Sequence, residues 1–392
     1  MTRWIAAAGA FVVSLDSTVN IAFPSIAATF HVPPEAMRWV IICYVLTYAV
    51  MSFTGGAVAD RVGHTRVFAL GALGSALGFL LAGTAPAFGW FLAGRVVQGF
   101  AAGLVYGTAP GLTTLAVPPA QRGRALGVLG GAIGLAFTLG PLLAGVLIEW
   151  LGWRAVFHVR VPLALAVLAW ALASLPPARA PAAPRLVAVR DIARVSVMHA
   201  SGLSFVAHAG IFAVWLLAPF YLVERLGLDT RAGGALFMLT PLGTAVAAPF
   251  AGRVADRVGP RLPMAAGLAL ECAGLFLMSR VGGSTPPLLV AGALFAAGLG
   301  LGVFQVPNMA VVMAAFPAWQ QGAAGGLAFL ARTLGVVAGV AALAQVFAVR
   351  RGAAGFDTAF AEAFLIAALA VGAAAALAAA TPRGRGDRPR SR

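Results

Sequence analysis

Two charged residues, each followed closely by an amide residue, stand inside long apolar stretches of this chain. Asp16 lies in the segment SLDSTVNIAFP, and Asn20 follows it four residues later. Arg95 lies in GRVVQGFAAG, and Gln98 follows it three residues later. Residues three or four apart share one face of a helix, so each charged side chain would have an amide beside it.

A carboxylate and a guanidinium in such surroundings can form a proton-binding site. A charge at the centre of a membrane-spanning helix costs about 2.5–3.5 kcal/mol on insertion scales, so such residues are functional candidates. A nearby arginine favours the charged form of an acid, whereas burial favours its neutral form. We therefore predict that Asp16 carries a proton and that Arg95 modulates it. A structural ion pair or helix cap remains open for Asp16, and a place at the membrane boundary remains open for Arg95.

The composition indicates what kind of framework positions these residues. The chain is 61% hydrophobic and 10% charged, with a mean hydropathy of +0.93, which excludes an ordinary soluble domain. Its net charge is +15, but the arginines lie in short segments between apolar runs, so nucleic acid is not the predicted partner. Cys43 and Cys272 lack metal-ligand spacing, and the sequence contains no phosphate-binding loop or catalytic motif. We expect no enzyme activity, no metal site and no cofactor.

Apolar runs long enough to cross the ~30 Å hydrocarbon core as helices recur along the whole chain. They predict an all-α membrane protein with twelve transmembrane helices in two parallel six-helix bundles. The predicted spans are 4–28, 38–59, 67–86, 88–113, 125–149, 157–175, 197–223, 232–252, 263–280, 287–313, 323–348 and 358–380. The predicted domains are an N-terminal bundle at 1–175, a cytoplasmic linker rich in Pro and Arg at 176–196, a C-terminal bundle at 197–381 and a basic tail at 382–392.

The placement of arginine predicts the orientation in the membrane. Arginines are concentrated in the N-terminal segment, in the loops after even-numbered spans and in the C-terminal tail. By the positive-inside rule this side faces the cytoplasm. We therefore expect both termini in the cytoplasm, the protein in the plasma (inner) membrane, and the basic tail close to anionic lipid.

The hexapeptide VADRVG occurs twice, at Val58–Gly63 and Val254–Gly259, with a separation of 196 residues. Each copy falls in the predicted cytoplasmic loop between the second and third spans of its own half, which indicates a parallel duplication. Gly63 would permit a tight turn there, and Asp60 could cap the following helix. A solvated loop with ordinary positive-inside arginines is the alternative. The predicted gating-loop residues are Gly56, Asp60, Arg61, Gly63, Arg66, Gly252, Asp256, Arg257 and Gly259.

Further polar residues could line a substrate cavity or carry a proton. Glu271 lies near the middle of the ninth span and is a second candidate proton site, although a structural or lipid-facing role fits it equally well. His208 could titrate near neutral pH, or it could act only as a hydrogen-bond partner. For the other predicted cavity residues, hydrogen bonding between helices is an equally good explanation. The predicted cavity residues are Asn20, Gln98, Ser204, His208, Gln305, Asn308 and Arg332.

Several of these segments resemble transporters. GGAVADRVGHTR, at 55–66, resembles the signature loop of the major facilitator superfamily. SLDSTVNIAFP, WRAVFHVRVP and LARTLGVVAGVA resemble motifs of the larger, fourteen-span branch of drug:proton antiporters. Two departures stand out, because Arg160 occupies the asparagine position of the branch's WR..F..N.P signature and twelve spans are predicted here. The fifth span resembles a motif associated with exporters, through Gly134, Gly140, Pro141 and Gly145.

The resemblance implies proton-coupled export of a small, hydrophobic or amphipathic organic compound or drug by alternating access. Asp16 would be protonated when the cavity faces outward and deprotonated when it faces the cytoplasm. The implied partners are the small-molecule substrate, protons and the lipid bilayer, and we expect a monomer. Two other functions remain open: proton-coupled import or uniport of a metabolite on the same fold, and a non-transporting scaffold or lipid-handling role.

Overall fold

A computed structural model describes residues 1–115, 117–118, 122–175, 194–316 and 321–380. Throughout these ranges every regular element is helical, as the sequence predicts. Two compact units are present, Met1–Arg185 together with Asp229–Ala235, and Leu186–Leu228 together with Leu236–Arg392. Most of the predicted linker and the basic tail at 382–392 lie outside the described residues.

The first unit contains the predicted first six spans. The first span is built from the helix Thr2–Ser14, a 3-10 turn at Leu15–Ser17 and the helices Thr18–Ile21 and Phe23–Phe30. A 3-10 turn at Pro34–Ala36 leads into the second span, Met37–Val62. The third to sixth spans are His64–Gly83, Phe88–Leu115, Arg122–Leu151, and Ala155–His158 continued by Arg160–Ser174.

The predicted seventh to twelfth spans follow. The seventh span, Val195–Phe220, ends in a π-helical turn at Tyr221–Arg225. The eighth consists of Thr230–Phe237 and Leu239–Val258, the ninth is Arg261–Met278, and the tenth is Pro287–Ala314. A final helical segment runs from Gln321 to Ala380, with a break at Gly355, where φ is 80° and ψ is 177°.

The described residues contain eleven helical segments that are long and apolar enough to cross a membrane. The last of them, Leu327–Ala380, has 54 residues, whereas one crossing needs about 20. Because Gly355 interrupts its helical backbone, this segment holds both the predicted eleventh and the predicted twelfth span. The third span also presents an apolar stripe to its surroundings through the exposed side chains of Leu70, Leu73, Leu77 and Leu80, as expected for a helix that faces lipid.

The first span is interrupted at Asp16 for a reason that lies in its sequence. Short polar side chains compete with the backbone for hydrogen bonds, and Thr18 Oγ1 donates to the carbonyl of Leu15 at 2.6 Å. Pro24, about two turns further on, has no backbone N–H, so the Asn20 carbonyl four residues before it lacks its usual helical donor. At the Thr18 contact the helix tightens into the 3-10 turn Leu15–Ser17, and this turn carries the carboxylate.

Glycines at matching positions hold the third and fourth spans of each half together. A Cβ atom added to Gly71 would lie 3.0 Å from the Ala101 carbonyl oxygen, and one added to Gly78 would lie 2.8 Å from the Gln98 nitrogen. In the second unit, Gly267 and Gly274 lie equally close to the tenth span. A Cβ atom added to either would lie 2.5 Å or 2.4 Å, respectively, from a backbone nitrogen of that span. Close backbone contact through small residues is how membrane helices pack.

The two VADRVG copies are helix ends rather than loops, which corrects the sequence prediction. Residues 58–62 form the end of the second span, and residues 254–258 form the end of the eighth. Val-Ala-Asp-Arg-Val contains no helix breaker, so each helix continues up to its glycine. Gly63 and Gly259 then adopt φ values of 105° and 84°, which glycine tolerates and other residues do not.

Most of the charged side chains at these helix ends are exposed. Arg61 and Arg257 are exposed, and a cation in the last turn of a helix complements the helix dipole. Asp256 and Arg66 are exposed as well. The side chain of Asp60 lies outside the described part, so its capping role stays a prediction.

Candidate functional site

Asp16 lies at the centre of a charged cluster inside the first unit. Its carboxylate accepts two hydrogen bonds from Arg95, from Nη1 to Oδ1 at 2.5 Å and from Nη2 to Oδ2 at 2.7 Å. Gln98 Nε2 donates a third to Oδ1 at 2.7 Å, and its own amide oxygen accepts from Arg95 Nη1 at 2.8 Å. The first and fourth spans thus bring together three residues that the sequence singled out.

The second span fixes the position of Arg95. The arginine Nε donates to the Val40 carbonyl at 3.1 Å, and the guanidinium carbon lies 4.4 Å from the centre of the Tyr44 ring. The Tyr44 hydroxyl in turn donates to the Val13 carbonyl at 3.3 Å. Arg95 is only 2% exposed, so protein encloses this side chain and it does not snorkel to the surface.

The sequence did not assign Arg160 to the site, yet the structure places it there. Its Nη1 lies 3.5 Å from Asp16 Oδ1, and its side chain is 2% exposed. The guanidinium carbon lies 4.4 Å from the centre of the Phe79 ring and 5.1 Å from that of Phe157. The signal was visible, because an arginine replaces the asparagine of the sixth-span signature, but the sequence alone did not show what it faces.

The fifth span meets the first next to the cluster. Ser17 Oγ donates to the Ala136 carbonyl at 3.2 Å, and a Cβ atom added to Gly140 would lie 2.0 Å from that same Oγ. Gly140 therefore permits a contact directly beside Asp16. The other residues of the fifth-span motif differ, since a Cβ at Gly134 would meet nothing within 4 Å, whereas one at Gly145 would lie 2.5 Å from the Thr230 carbonyl. Pro141 lies inside the helix.

Asn20 lies one turn after Asp16, in the helix Thr18–Ile21. Its side chain is buried, as is that of Gln98. Both predicted cavity residues of the first unit are thus enclosed by protein, and Gln98 contacts the carboxylate directly.

In the second unit, Ser204 and His208 meet as their spacing predicts. His208 Nδ1 lies 2.8 Å from the Ser204 carbonyl oxygen, and this contact assigns the ring proton to Nδ1. Nε2 is then an acceptor, and it has no hydrogen-bond partner among the described residues. Arg332 is partly buried on the predicted eleventh span. Asn308 is buried, and Gln305 is partly buried on the same span.

Glu271 has different surroundings from Asp16. It is 0% exposed, which excludes the lipid-facing role. Neither carboxyl oxygen has a hydrogen-bond partner among the described residues. Its backbone packs tightly on the tenth span, because a Cβ atom added to Gly300 would lie 2.2 Å from the Glu271 nitrogen.

Many apolar helices in two units, with a charged cluster buried inside the first, define a polytopic membrane protein of the transporter type. The chain belongs to the Major Facilitator Superfamily, whose family model matches residues 5–199 and again residues 200–392. This confirms the resemblance found in the sequence. Proteins of this family are transporters rather than enzymes, and the fold is the all-helical one predicted.

Individual relatives point in more than one functional direction. The chain is 29% identical to the tetracenomycin C resistance and export protein of Streptomyces glaucescens, over 82% of this chain and 71% of the relative. It is 24% identical to the riboflavin transporter RibZ of Clostridioides difficile (strain 630), over 83% of each. The solved structure of a D-xylose–proton symporter matches with a TM-score of 0.75 and 16% identity, covering 94% of this chain and 96% of that one.

Proposed function

We propose that this transporter exports a small, hydrophobic or amphipathic organic compound in exchange for protons. One observation carries the proposal: the Asp16 carboxylate is held by Arg95 and Gln98 in the interior of the first unit. The Asp16 carboxylate, which accepts hydrogen bonds from the Arg95 cation, can be ionised or protonated. The net charge of the buried cluster differs by one between these two states. The similarity to the tetracenomycin C resistance and export protein supports export over import.

The contacts of Asp16 suggest how a proton would change the structure. Hydrogen bonds to charged groups contribute about 1.5–3 kcal/mol each, and the carboxylate accepts three. Protonation removes the negative charge and weakens all of them, so Arg95 and Gln98 are released from the first span. The energy source would be proton entry, which supplies about 2.3 kcal/mol per 100 mV of membrane potential, to which a pH difference adds.

The fifth span would respond to this change. Ser17 follows Asp16 directly, and it bonds to Ala136 while lying against Gly140. A shift of the Leu15–Ser17 turn would therefore move the first span against the fifth at their closest contact. We propose that this motion links proton binding to alternating access.

The remaining assignments complete the proposal. Both termini lie in the cytoplasm, the membrane is the plasma membrane, and the transporter acts as a monomer. We propose the domains of the sequence analysis, with bundles at 1–175 and 197–381 and a linker at 176–196, and an attraction between the basic tail at 382–392 and anionic lipid. Glu271 is a second candidate proton site, and the helix ends at Gly63 and Gly259 act in gating. The proposed cavity residues are Asn20, Gln98, Ser204, His208, Gln305, Asn308 and Arg332.

The test begins with a resistance and efflux screen in a host that lacks its own exporters. Tetracenomycin C and riboflavin, the compounds named by two relatives, are the first probes. For any compound exported, inverted membrane vesicles should show uptake when their lumen is acidified. Asp16→Asn should abolish this proton-driven uptake, while Glu149→Gln, which alters an exposed acid of the fifth span, should preserve it. Full proton-coupled flux in folded Asp16→Asn protein would refute Asp16 as the carrier.

Import of a metabolite is the second candidate, because one relative is named a riboflavin transporter, without a stated direction. The screen in intact cells distinguishes the two directions. An importer would make intact cells accumulate the probe in a proton-dependent manner and would not confer resistance. If no probe crosses the membrane in either direction in the screen, a non-transporting role would be favoured instead.

A further inference from the structure

Arg160 and Arg95 approach the same carboxylate, but their contacts are unequal. Each nitrogen of the Arg95 guanidinium group donates to an acceptor, on Val40, Asp16 or Gln98. Arg160 donates only from Nε, to the Val156 carbonyl at 2.9 Å. Its Nη1 and Nη2 are buried and have no hydrogen-bond partner among the described residues. Nη1 nevertheless lies 3.5 Å from Asp16 Oδ1.

The geometry of the sixth span directs Arg160 towards this place. The bond to Val156 fixes the side chain one turn back along its own helix, and the rings of Phe79 and Phe157 lie against the guanidinium. A cation beside aromatic faces is stabilised without an anion of its own. Arg160 can therefore stay charged in the interior while making only one long contact with Asp16.

The charge of the cluster follows from counting its members. Two guanidinium groups and one carboxylate give +1 when Asp16 is ionised and +2 when it is protonated. Among the described residues, the other titratable groups nearby are Cys43, Tyr44 and Tyr48 of the second span and Tyr106 of the fourth. The Tyr48 ring lies 5.3 Å from that of Tyr44, and the Tyr106 hydroxyl lies 2.7 Å from Ser14 Oγ. The facing part of the fifth span, residues 131–145, contains no ionisable side chain. No second acid among these groups offsets the added charge.

We propose that Arg160 is a second counter-cation for Asp16, a positioning residue that sets how acidic the solution must be before Asp16 takes up a proton. This inference rests on the proposed role of Asp16 as the proton carrier. Each protonation of Asp16 leaves two like charges without their shared anion, and Arg160 supplies one of them. An asparagine at the same position, as in the signature that this span resembles, would not add that charge.

The experiment measures proton binding without a substrate. The intact protein in lipid is titrated with pH while its carboxyl stretching bands are followed by infrared difference spectroscopy, and the Asp16 band is the one lost in Asp16→Asn. Arg160→Asn and Arg160→Gln should move the midpoint of this band to higher pH by about one unit or more. Arg160→Lys keeps the charge and should restore the midpoint. Arg154→Gln is the matched control, since that arginine donates to the Ala85 carbonyl at 3.0 Å instead.

The outcomes separate this inference from the proposed function. An unchanged midpoint in both neutral variants would overturn the role of Arg160, as would an equal shift in Arg154→Gln. Two neutral variants are used because one alone could fail to fold. If the midpoint shifts but the transport rate does not depend on a proton gradient, the inference about Arg160 is supported and only proton-coupled export is overturned. If neither the parent protein nor any Arg160 variant shows a band that Asp16→Asn lacks, both the role of Arg160 and the role of Asp16 as proton carrier are overturned.

Discussion

Replacing Gly140 with alanine should disturb the contact between the fifth and first spans beside Asp16. The new Cβ atom would lie 2.0 Å from Ser17 Oγ, well inside the 3.0 Å that real Cβ contacts essentially never cross. The next neighbours are Ser17 Cβ at 3.3 Å and Thr18 Cγ2 at 3.4 Å. The clash is therefore concentrated on a single hydroxyl oxygen.

Two responses are available, and their sizes can be compared. Ser17 can rotate and lose its bond to the Ala136 carbonyl, which costs about 0.5–1.5 kcal/mol. The helices can instead separate, and overpacking of this kind costs about 1–3 kcal/mol. Alanine regains up to about 1 kcal/mol from its higher intrinsic helix preference. Because the cheaper response prevails and the helix-preference gain is common to Gly134→Ala on the same helix, we expect Gly140→Ala to be less stable than Gly134→Ala by about 0.5–1.5 kcal/mol. Its proton-coupled transport should also fall.

The assay is detergent-induced unfolding of the purified protein followed by circular dichroism, with transport measured on the same preparations. Gly134→Ala is the control on the same helix, because an added Cβ there meets nothing within 4 Å. It should be neutral or slightly stabilising. Ser17→Ala removes the clashing oxygen, so the double variant should be more stable than the sum of the two single effects predicts. If Gly140→Ala matches Gly134→Ala, or Ser17→Ala gives no rescue, the close contact does not exist as described.

Arg95→Lys should reduce the initial rate of proton-driven transport in proteoliposomes by about tenfold or more, because an ammonium group cannot form the two parallel hydrogen bonds of a guanidinium. A rate near that of the parent would contradict this prediction. Gly63→Ala and Gly259→Ala should each destabilise by about 1–2 kcal/mol, because a left-handed backbone strains residues with a Cβ. Their unfolding midpoints can be compared with that of Gly130→Ala, where an added Cβ meets nothing, and equal midpoints would exclude the strain. Glu271→Leu should raise the unfolding free energy by about 1–3 kcal/mol, since a buried polar group without a partner is costly, whereas a loss of stability would mean that Glu271 has a partner.

The spans were predictable because the physics that defines them is local. Run length and the absence of charge locate a membrane helix whatever surrounds it. The meeting of Asp16 with Arg95 was predictable for a related reason, since two charges in apolar spans each need a partner. The helical course of residues 58–62 was missed, because charge and a nearby glycine indicated a loop while the helix in fact continues to Gly63.

The role of Arg160 could not be derived from sequence, and its neighbours show why. Phe79 lies on another span, 81 positions earlier in the chain, and only the packing of the third span on the sixth brings its ring to the guanidinium. The break at Leu15–Ser17 also depends partly on tertiary contact, since Ser17 bonds to the fifth span. In both cases the local pattern allowed several arrangements, and contacts between helices select one.

Duplication accounts for the packing of each unit, but not for its charged residues. Gly71 and Gly78 have counterparts 196 positions later in Gly267 and Gly274, and all four make close backbone contacts within their own units. The same offset relates Ser75 to Glu271. The Ser75 hydroxyl donates a hydrogen bond to the Gly71 carbonyl at 2.8 Å. The Glu271 carboxyl, in contrast, has no hydrogen-bond partner among the described residues.

The cluster around Asp16 has no counterpart of this kind. At the same offset, Asp16 corresponds to Phe212, Arg95 to Ala291 and Arg160 to Phe356. The charged residues are therefore not repeated at the matching positions, and the second unit makes the matching glycine contacts without them. Conservative changes in the cluster should alter proton coupling while leaving those contacts intact, and changes at the glycines should lower stability in whichever unit carries them.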